Sequence, residues 1–267
     1  MLDELLRAAN KAVNAMSYED ILQWWQNKHL TTVDDFTTEL ENFNIVFAYN
    51  SANIENIPVT YHMTRELFCN GRVQNFTGDV SHIMELQNQK FAYEFIAKSL
   101  EKRTPLTKEF VLKVHEIMLR GCYDERRWNK GERPGTFKKN DYCVGASNTG
   151  AFPEEVDAMI TELINEVNSV DDGDILTRAS YFHLVFENIH PFADGNGRVG
   201  RVLMNYFLML NNYPPAVIFN DDKQVYYMAL DVYDRTEQIS GFKQFLKEET
   251  QKTWKHVLKS NKYDRVV

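Results

Sequence analysis

The sequence is poor in cysteine, glycine, proline and positive charge, and these shortages exclude several classes of protein. Three cysteines occur among 267 residues, at Cys69, Cys122 and Cys143. Their number is odd and they show no CxxC or Cys/His spacing, so neither a disulfide framework nor a zinc site is predicted. Twelve glycines and seven prolines, without a repeat, exclude a collagen-like or low-complexity chain. We expect one folded domain with reduced cysteines.

Basic charge and long apolar runs are also scarce. The formal net charge is −8, and binding to nucleic acid needs a basic surface that neutralises phosphates. No apolar stretch is long enough to cross a bilayer, and the N-terminus lacks the basic region of a secretory signal. The expectation is a cytoplasmic protein without nucleic-acid or membrane partners. A small basic pocket for a nucleotide remains compatible with this composition.

Helical spacing of apolar residues runs through nearly the whole chain, of which 43% is hydrophobic. Residues 129–152 break this pattern with four glycines and a short β-like run, which favours a hairpin. The predicted fold is mainly α, a helical bundle with one small β-hairpin. The predicted helices cover residues 2–16, 18–26, 33–49, a segment capped by Thr64 and ending at Asn70-Gly71, 79–102, a segment from Thr107 to Gly121, 153–168, 175–188, 196–211, 222–232 and 241–259.

The stretch of residues 188–201 carries the clearest chemical signal. A helix ends there, and a turn rich in glycine opens the next helix, so backbone N–H groups and the helix dipole form a cradle for an anion. Arg198 and Arg201 share a face near that helix N-terminus, where the dipole opposes positive charge. A bound phosphate would resolve this conflict, because guanidinium groups suit phosphate oxygens. The alternative is a solvated basic face.

Two further side chains complete this turn. Asp194 is its only carboxylate and could hold a cation with a polyphosphate, or simply cap the next helix. His190 has a pKa suited to a general base near neutral pH, or could be a histidine satisfied at a helix end. Together with the anion cradle and the arginines, these groups favour activation of a hydroxyl against a nucleotide phosphate.

The residues His190-Pro-Phe-Ala-Asp-Gly-Asn-Gly-Arg-Val-Gly-Arg201 resemble the Fic family motif HPFx(D/E)GNGRxxR at every fixed position. The resemblance covers roughly residues 80–250. It implies a Fic-like helical bundle, with a core domain over residues 61–260 preceded by N-terminal helices over residues 1–60. It also implies transfer of AMP from ATP to a Ser, Thr or Tyr hydroxyl of an unidentified protein or of the chain itself.

The resemblance assigns a role to each residue of the motif and to some residues beyond it. His190 would be the catalytic base, and Asp194 would hold Mg²⁺ or Mn²⁺. Phe192 would be a buried anchor. The remaining nucleotide-binding candidates are Gly195, Asn196 and Gly197 for the α- and β-phosphates, Arg198 for the β-phosphate, Arg201 for the γ-phosphate, and Tyr226, Tyr227 and Asp234 near the base.

Two comparisons within the family refine the expected reaction. Phosphorylating Doc-type members carry lysine where this chain has Gly197, so adenylylation is favoured over phosphorylation. Many members carry asparagine where this chain has Asp234, which leaves the nucleotide preference open. The predicted hairpin resembles the family's target-binding flap, which aligns a peptide by strand addition through Tyr142, Cys143, Val144 and Gly145.

A second motif lies upstream. Residues 51–56 match the family's inhibitory pattern (S/T)xxxE(G/N), with Ser51 and Glu55 on one helical face and Asn56 suited to a left-handed helix end. By resemblance Glu55 would pair with Arg201 and take the group that the γ-phosphate needs, as in class II members. A surface glutamate without function is the alternative.

Three functions therefore stay open at this stage. The first is an adenylyltransferase that Glu55 inhibits. The second is the reverse reaction, in which Glu55 positions water to remove AMP, and the third is a nucleotide-sensing regulatory module. A homodimer through the aromatic N-terminal helices is a further possibility.

Overall fold

The computed structural model describes residues 13–74, 76–142, 150–169 and 174–264. The helix predicted over residues 2–16 thus lies almost wholly outside the described residues, as do Cys143, Val144 and Gly145 of the expected flap. The described helices are α1 (Tyr18–Gln26), α2 (Val33–Ile54), α3 (Tyr61–Asn70), α4 (Val80–Glu101), α5 (Lys108–Leu119), α6 (Glu125–Asn129), α7 (Pro153–Ser169), α8 (Ile175–Ile189), α9 (Asn196–Leu210), α10 (Lys223–Thr236) and α11 (Ser240–Asp264), with a short 3₁₀ helix at Asn220–Asp222 before α10.

The mainly α prediction is confirmed, and most helices begin at polar caps that the sequence contains. Ser17 and Thr32 start α1 and α2 with reciprocal capping boxes, which satisfy N–H groups that the first turn leaves free. One predicted cap was wrong. Thr60, with an extended backbone, caps α3, whereas Thr64 lies one turn inside the helix with its hydroxyl bonded to the Thr60 carbonyl.

Helix α9 is the centre of the bundle. It packs against α8 most extensively and also against α2, α4 and α5. Nearly every residue from Asn196 to Met209 is buried, as expected for a helix that is surrounded on all sides. The motif arginines at its start are therefore placed inside the protein, although the sequence left a solvated face open.

The N-terminal helices share their core with the rest of the chain. Trp25 and Phe43 contact Trp254 of α11, with ring centroids 5.2 and 5.9 Å apart. One hydrophobic cluster contains side chains from α1, α2 and most later helices. The proposed division at residues 60/61 stays a prediction.

The part of the chain that the structure describes contains no β-strand. The predicted hairpin falls mostly on residues 143–149, so it stays a prediction. None of the described helices combines the length and the apolar character needed to cross a membrane.

Candidate active site

The motif turn is closed by its own side chains. Helix α8 ends at His190, which adopts a left-handed conformation (φ 51°, ψ 62°) and donates its N–H to the Phe186 carbonyl at 3.1 Å. Asn196 bonds both the N–H and the carbonyl of Phe192, each at 2.8 Å. Because both polar atoms of Asn196 are used, its side chain shapes the turn, and a phosphate would meet its backbone N–H instead.

A buried histidine that the sequence did not single out for function supports this turn. His115 Nδ1 accepts the N–H of Gly135 at 2.8 Å, so the proton is on Nε2, which donates to the Asp194 carbonyl at 3.1 Å. Its ring stacks on Phe192 with centroids 3.7 Å apart. Burial lowers the pKa of His115 to about 3, which keeps the ring neutral and this proton arrangement intact.

His190 lies between the two segments that flank residues 143–149. Lys138 N–H bonds the Pro191 carbonyl and Ala151 N–H bonds the Ile189 carbonyl, both at 2.9 Å. Burial, followed by the nearby Lys138 charge, lowers the pKa of His190 to about 4. The imidazole is therefore neutral at pH 7 and able to accept a proton.

Asp194 is held by two arginines. Its Oδ1 lies 2.9 Å from Arg198 Nη2, and its Oδ2 lies 3.2 Å from Arg127 Nη2. Gly195 occupies the N-cap position before α9, which has no side-chain cap, so Asp194 does not have the capping role that the sequence left open. Its side chain is 30% exposed and available to a ligand.

The residues around Asp194 can be compared with what a divalent cation requires. The described residues contain no group of three or more His, Cys, Asp or Glu side chains that could hold a metal ion. A single exposed carboxylate beside an anion cradle nevertheless suits Mg²⁺, which commonly takes one or two carboxylates and completes its shell with substrate phosphates and water. Asp194 fits such an ion if Arg127 moves aside.

Arg198 is buried, and acidic residues surround it. It pairs with Glu85 of α4 as well as with Asp194. Burial raises the pKa of Glu85, and Arg198 opposes that shift. Glu85 and Arg127 carry no local sequence signal, because their partners lie 113 and 67 residues away in the chain.

Arg201 has a different environment. Its Nε donates to Ser51 Oγ at 3.1 Å, and its Nη2 donates to the Ser51 carbonyl at 3.0 Å and to Glu55 Oε1 at 2.8 Å. The arginine side chain is 1% exposed, whereas Glu55 is 31% exposed. The structure thus brings together Ser51, Glu55 and Arg201 as the sequence predicts.

The end of α2 is anchored next to this contact. Asn56 adopts the predicted left-handed conformation (φ 58°) and accepts a bond from Lys223 at 2.8 Å. Tyr227 donates to the Ile54 carbonyl at 3.3 Å. These bonds join the end of α2 to α10, which carries the predicted base-binding residues.

Gly197 and Glu187 also border Arg201. A Cβ on Gly197 would overlap Glu55 Oε1 and come within 2.9 Å of Arg201 Nη1. Glu187 Oε1 is buried without a hydrogen bond to any described atom. Burial raises the pKa of Glu187 to about 8, against the lowering effect of Arg201. Sequence patterns did not indicate this second acid.

The three residues predicted near the base differ in exposure. Tyr226 is buried, with its hydroxyl 2.9 Å from His183 Nε2, so its ring belongs to the core. Tyr227 is 42% exposed. Asp234 is exposed and accepts a bond from Asn188 at 2.8 Å. Tyr227 and Asp234 are thus the two that a ligand can reach.

The segment before the expected flap is organised around one buried acid. Glu132 is 1% exposed and accepts bonds from Asn140 Nδ2 at 2.7 Å and from the Tyr142 hydroxyl at 3.0 Å. It also accepts the Lys139 N–H at 3.1 Å. Tyr142 is therefore placed on this support, while Cys143, Val144 and Gly145 lie outside the described residues.

A neutral His190, a glycine-rich turn and two buried arginines on the central helix lie together in this part of the structure. The family model described as Fic/DOC matches residues 105–208. The chain is 28% identical over 207 residues to the protein adenylyltransferase Fic of Drosophila persimilis and to that of Drosophila melanogaster, which covers 77% of this chain and 39% or 40% of those proteins. It therefore spans about two-fifths of these curated relatives.

Solved structures share the fold. A Fic domain containing signaling protein from Bacteroides thetaiotaomicron superposes with a TM-score of 0.76 at 24% identity, covering 89% of this chain and 93% of the other. Fic-1 from C. elegans, residues 134–508, gives a TM-score of 0.71 at 19% identity, covering 98% and 74%. Residues 105–208 thus match the Fic/DOC family model, and the chain shares the fold of these solved structures.

Proposed function

We propose that this chain is a protein adenylyltransferase that transfers AMP from ATP to a protein hydroxyl, and that Glu55 holds its activity low. The observation that carries the proposal is the neutral His190 beside the glycine-rich start of α9, with Arg198 and Arg201 one turn further on. The curated relatives that match this chain are named for the same activity.

The proposed reaction uses groups that are already in place. Backbone N–H groups at the start of α9 bind the ATP phosphates. His190 takes the proton from a Ser, Thr or Tyr hydroxyl, and the oxygen attacks the α-phosphorus. The bond from that phosphorus to the bridging oxygen breaks, and pyrophosphate leaves. The arginines stabilise the negative charge of the phosphates.

A divalent cation, Mg²⁺ or Mn²⁺, would be held by Asp194 together with the phosphates. When bound, it would neutralise phosphate charge. Arg127 and Arg198 keep the Asp194 carboxylate in position before an ion arrives.

Inhibition follows from competition for Arg201. The γ-phosphate needs the guanidinium that Glu55 contacts at 2.8 Å. Nucleotide that binds beside Glu55 lacks this anchor, so its α-phosphate is misplaced for attack. Because Glu55 is partly exposed, water can hydrate its carboxylate when the contact opens, and the γ-phosphate would then take its place beside the buried Arg201 guanidinium.

The test compares Glu55→Gly with Glu55→Gln and with Glu162→Gly, a control at an exposed position of α7. Each protein is incubated with Mg²⁺, a cell lysate and ATP labelled on either the α- or the γ-phosphate. We expect Glu55→Gly to bind ATP more tightly and transfer only the α-label, with Glu55→Gln intermediate and the control unchanged. Transfer of the γ-label, or no transfer despite ATP binding, would refute the proposal.

The same assay tests the role of Asp234, which stands where many Fic members have asparagine. Replacing labelled ATP by GTP, CTP or UTP measures the nucleotide preference directly. A preference for ATP that weakens in Asp234→Ala supports a role of this residue near the base, and an unchanged preference removes that role.

A further inference from the structure

A cavity of about 420 Å³ lies behind the inhibitory helix, separate from the nucleotide site. This volume corresponds to about 14 water molecules at roughly 30 Å³ each, so it is far larger than a packing defect. It falls within the range of about 300–1,000 Å³ that small-molecule sites occupy. Helices α2, α3, α4 and α9 supply its walls.

The cavity has an apolar interior and a charged mouth. Phe43, Phe47 and Val202 are buried side chains of its wall. Glu41 and Glu94 line it and are exposed, and neither forms an ion pair with any residue that the structure describes. A ligand that fits would therefore have an apolar body and a polar head near these two acids.

The charge balance decides the sign of the head group. Lys90 also lines the cavity, but its ammonium donates to the Phe68 carbonyl at 2.8 Å and so serves the end of α3. Among the described residues that line the cavity, two carboxylates without an ion pair thus accompany one ammonium, which is already hydrogen-bonded to a carbonyl. A cationic head is favoured over an anionic one.

The cavity wall is continuous with the inhibitory contact. Phe47 lies one helical turn before Ser51 on α2, and Val202 directly follows Arg201 on α9. The Tyr93 ring packs on the Phe47 ring with centroids 5.8 Å apart. The nearby charge of Arg201 lowers the pKa of Tyr93 against the larger raising effect of burial. The distance between α2 and α9 therefore affects the cavity and the Glu55–Arg201 contact together.

We propose that this cavity is a regulatory site for a small amphipathic amine, and that occupancy strengthens the inhibited state. The cavity is present while Glu55 contacts Arg201. A ligand that fills it favours this arrangement, because a ligand stabilises the conformation to which it binds best. Binding itself is independent of the proposed function, whereas the regulatory consequence rests on it.

The experiment uses the full chain and three probes with the same apolar body: 4-phenylbutylamine, 4-phenylbutanol and 4-phenylbutyrate. Calorimetry measures the affinity of each probe, and thermal unfolding measures stabilisation. We expect the amine to bind most tightly and to raise the melting temperature. Ala97→Phe, which fills the cavity, should abolish binding. Glu41→Gln with Glu94→Gln should weaken the amine alone, with Glu162→Gln as the control.

Coupling is measured through nucleotide affinity, without relying on turnover. With saturating amine, the Kd for ATP should rise by about fivefold or more, the lower range of measured couplings. In Glu55→Gly the amine should still bind but leave the Kd for ATP unchanged. If catalysis fails while the amine binds and stabilises the chain, the site stands and only the proposed function falls.

Several outcomes overturn the proposal. Failure of all three probes to bind rejects the site, and equal or tighter binding of the carboxylate rejects the amine. An ATP effect that persists in Glu55→Gly shows direct competition and rejects the regulatory coupling. Binding that occurs only after removal of residues 1–12 identifies the chain's own N-terminal segment as the occupant and rejects the small molecule.

Discussion

The two motif arginines lie one turn apart on α9 but belong to different parts of the site. Arg198 faces the motif turn, where Glu85 and the neighbouring Asp194 pair with it. Arg201 faces α2, where it bonds a hydroxyl, a carbonyl and Glu55. The Glu85 side chain is 16% exposed and the Glu55 side chain 31%.

This difference separates a structural contact from a releasable one. Losing Glu85 would leave the buried Arg198 guanidinium with Asp194 as its remaining acidic partner among the described residues, so that pair is costly to break. Losing Glu55 leaves Arg201 with its two Ser51 bonds and leaves the carboxylate near water. On the proposed function, the contacts of Arg198 stabilise the motif turn, and the contact of Arg201 with Glu55 regulates the transfer activity.

The largest expected effect is on the turn side. In the Glu55→Gly background, His190→Ala should lower transfer by about 10²- to 10⁴-fold, because the proton acceptor is lost. ATP affinity should stay within about twofold, since the phosphates bind to backbone and arginines. Single-turnover kinetics and calorimetry measure both, with exposed His62→Ala as the control. A His190→Ala variant that transfers normally would show that another group is the base.

The next effect compares the two ion pairs by double-mutant cycles in chemical denaturation. The Arg198→Met and Glu85→Gln changes should show a coupling of about 2 kcal/mol, because Glu85 is less exposed than Glu55. The Arg201→Met and Glu55→Gln changes should couple by less than about 1 kcal/mol, because Glu55 is partly hydrated. A larger coupling at Glu55 would contradict its assignment as the releasable contact.

The third prediction concerns how stability depends on pH through Glu187, the second acid beside Arg201. Burial raises its pKa from 4.5 to about 8, so the folded chain keeps a proton that the unfolded chain releases above about pH 4.5. The contribution of this group to stability therefore falls as the pH rises from about 4.5 to about 8. Glu187→Gln should remove that fall and be more stable than the wild type at pH 8, measured by urea unfolding against Glu162→Gln. Parallel pH curves for the variant and the wild type would contradict the shift.

A smaller effect is expected at Gly197. A methyl group there must displace Glu55 Oε1 and Arg201 Nη1, which are flexible side-chain ends. Gly197→Ala should tighten ATP binding by a few-fold, about threefold, when Glu55 is present. It should give no gain in Glu55→Gly. Equal effects in both backgrounds would show that Gly197 acts on the phosphates and not through Glu55.

The smallest expected effect is that of pH on the transfer rate. Because the pKa of His190 lies near 4, its neutral form persists well below the usual 6.5. The transfer rate of Glu55→Gly should therefore stay level from pH 8 to pH 6 and fall only in stronger acid. Single-turnover rates in constant-ionic-strength buffers measure this, and an inflection at or above pH 6.5 would contradict it.

Much of the fold was predictable because its signals are local. The helix over Tyr18–Gln26 and the cap Thr107 follow from periodicity and polar residues within one or two turns. The α6 helix was missed because its five residues bury no side chain, which leaves no apolar stripe to detect. Thr64 was misplaced because Thr60 provides the same capping chemistry four residues earlier.

The residues of the candidate site also differ in whether the sequence could predict them. The turn from His190 to Arg201 could be recognised because its chemistry lies within twelve consecutive residues. The supporting His115, Glu85 and Arg127 could not, since each meets the turn across a long loop of chain. Spacing within the sequence does not encode such contacts.

The sequence alone determined the helical class and the chemistry of the turn, which depend on periodicity, capping and residue type over a few turns. The pair of Glu55 with Arg201 was predicted only through the resemblance of residues 51–56 and 190–201 to the Fic motifs. Only the tertiary structure decided that Arg198 pairs with two acids, Glu85 and Asp194, while Arg201 pairs with the partly exposed Glu55, and that a cavity lies behind α2. These depend on how α2, α4 and α9 pack, because burial sets both the cost of a charge and the space left for a ligand.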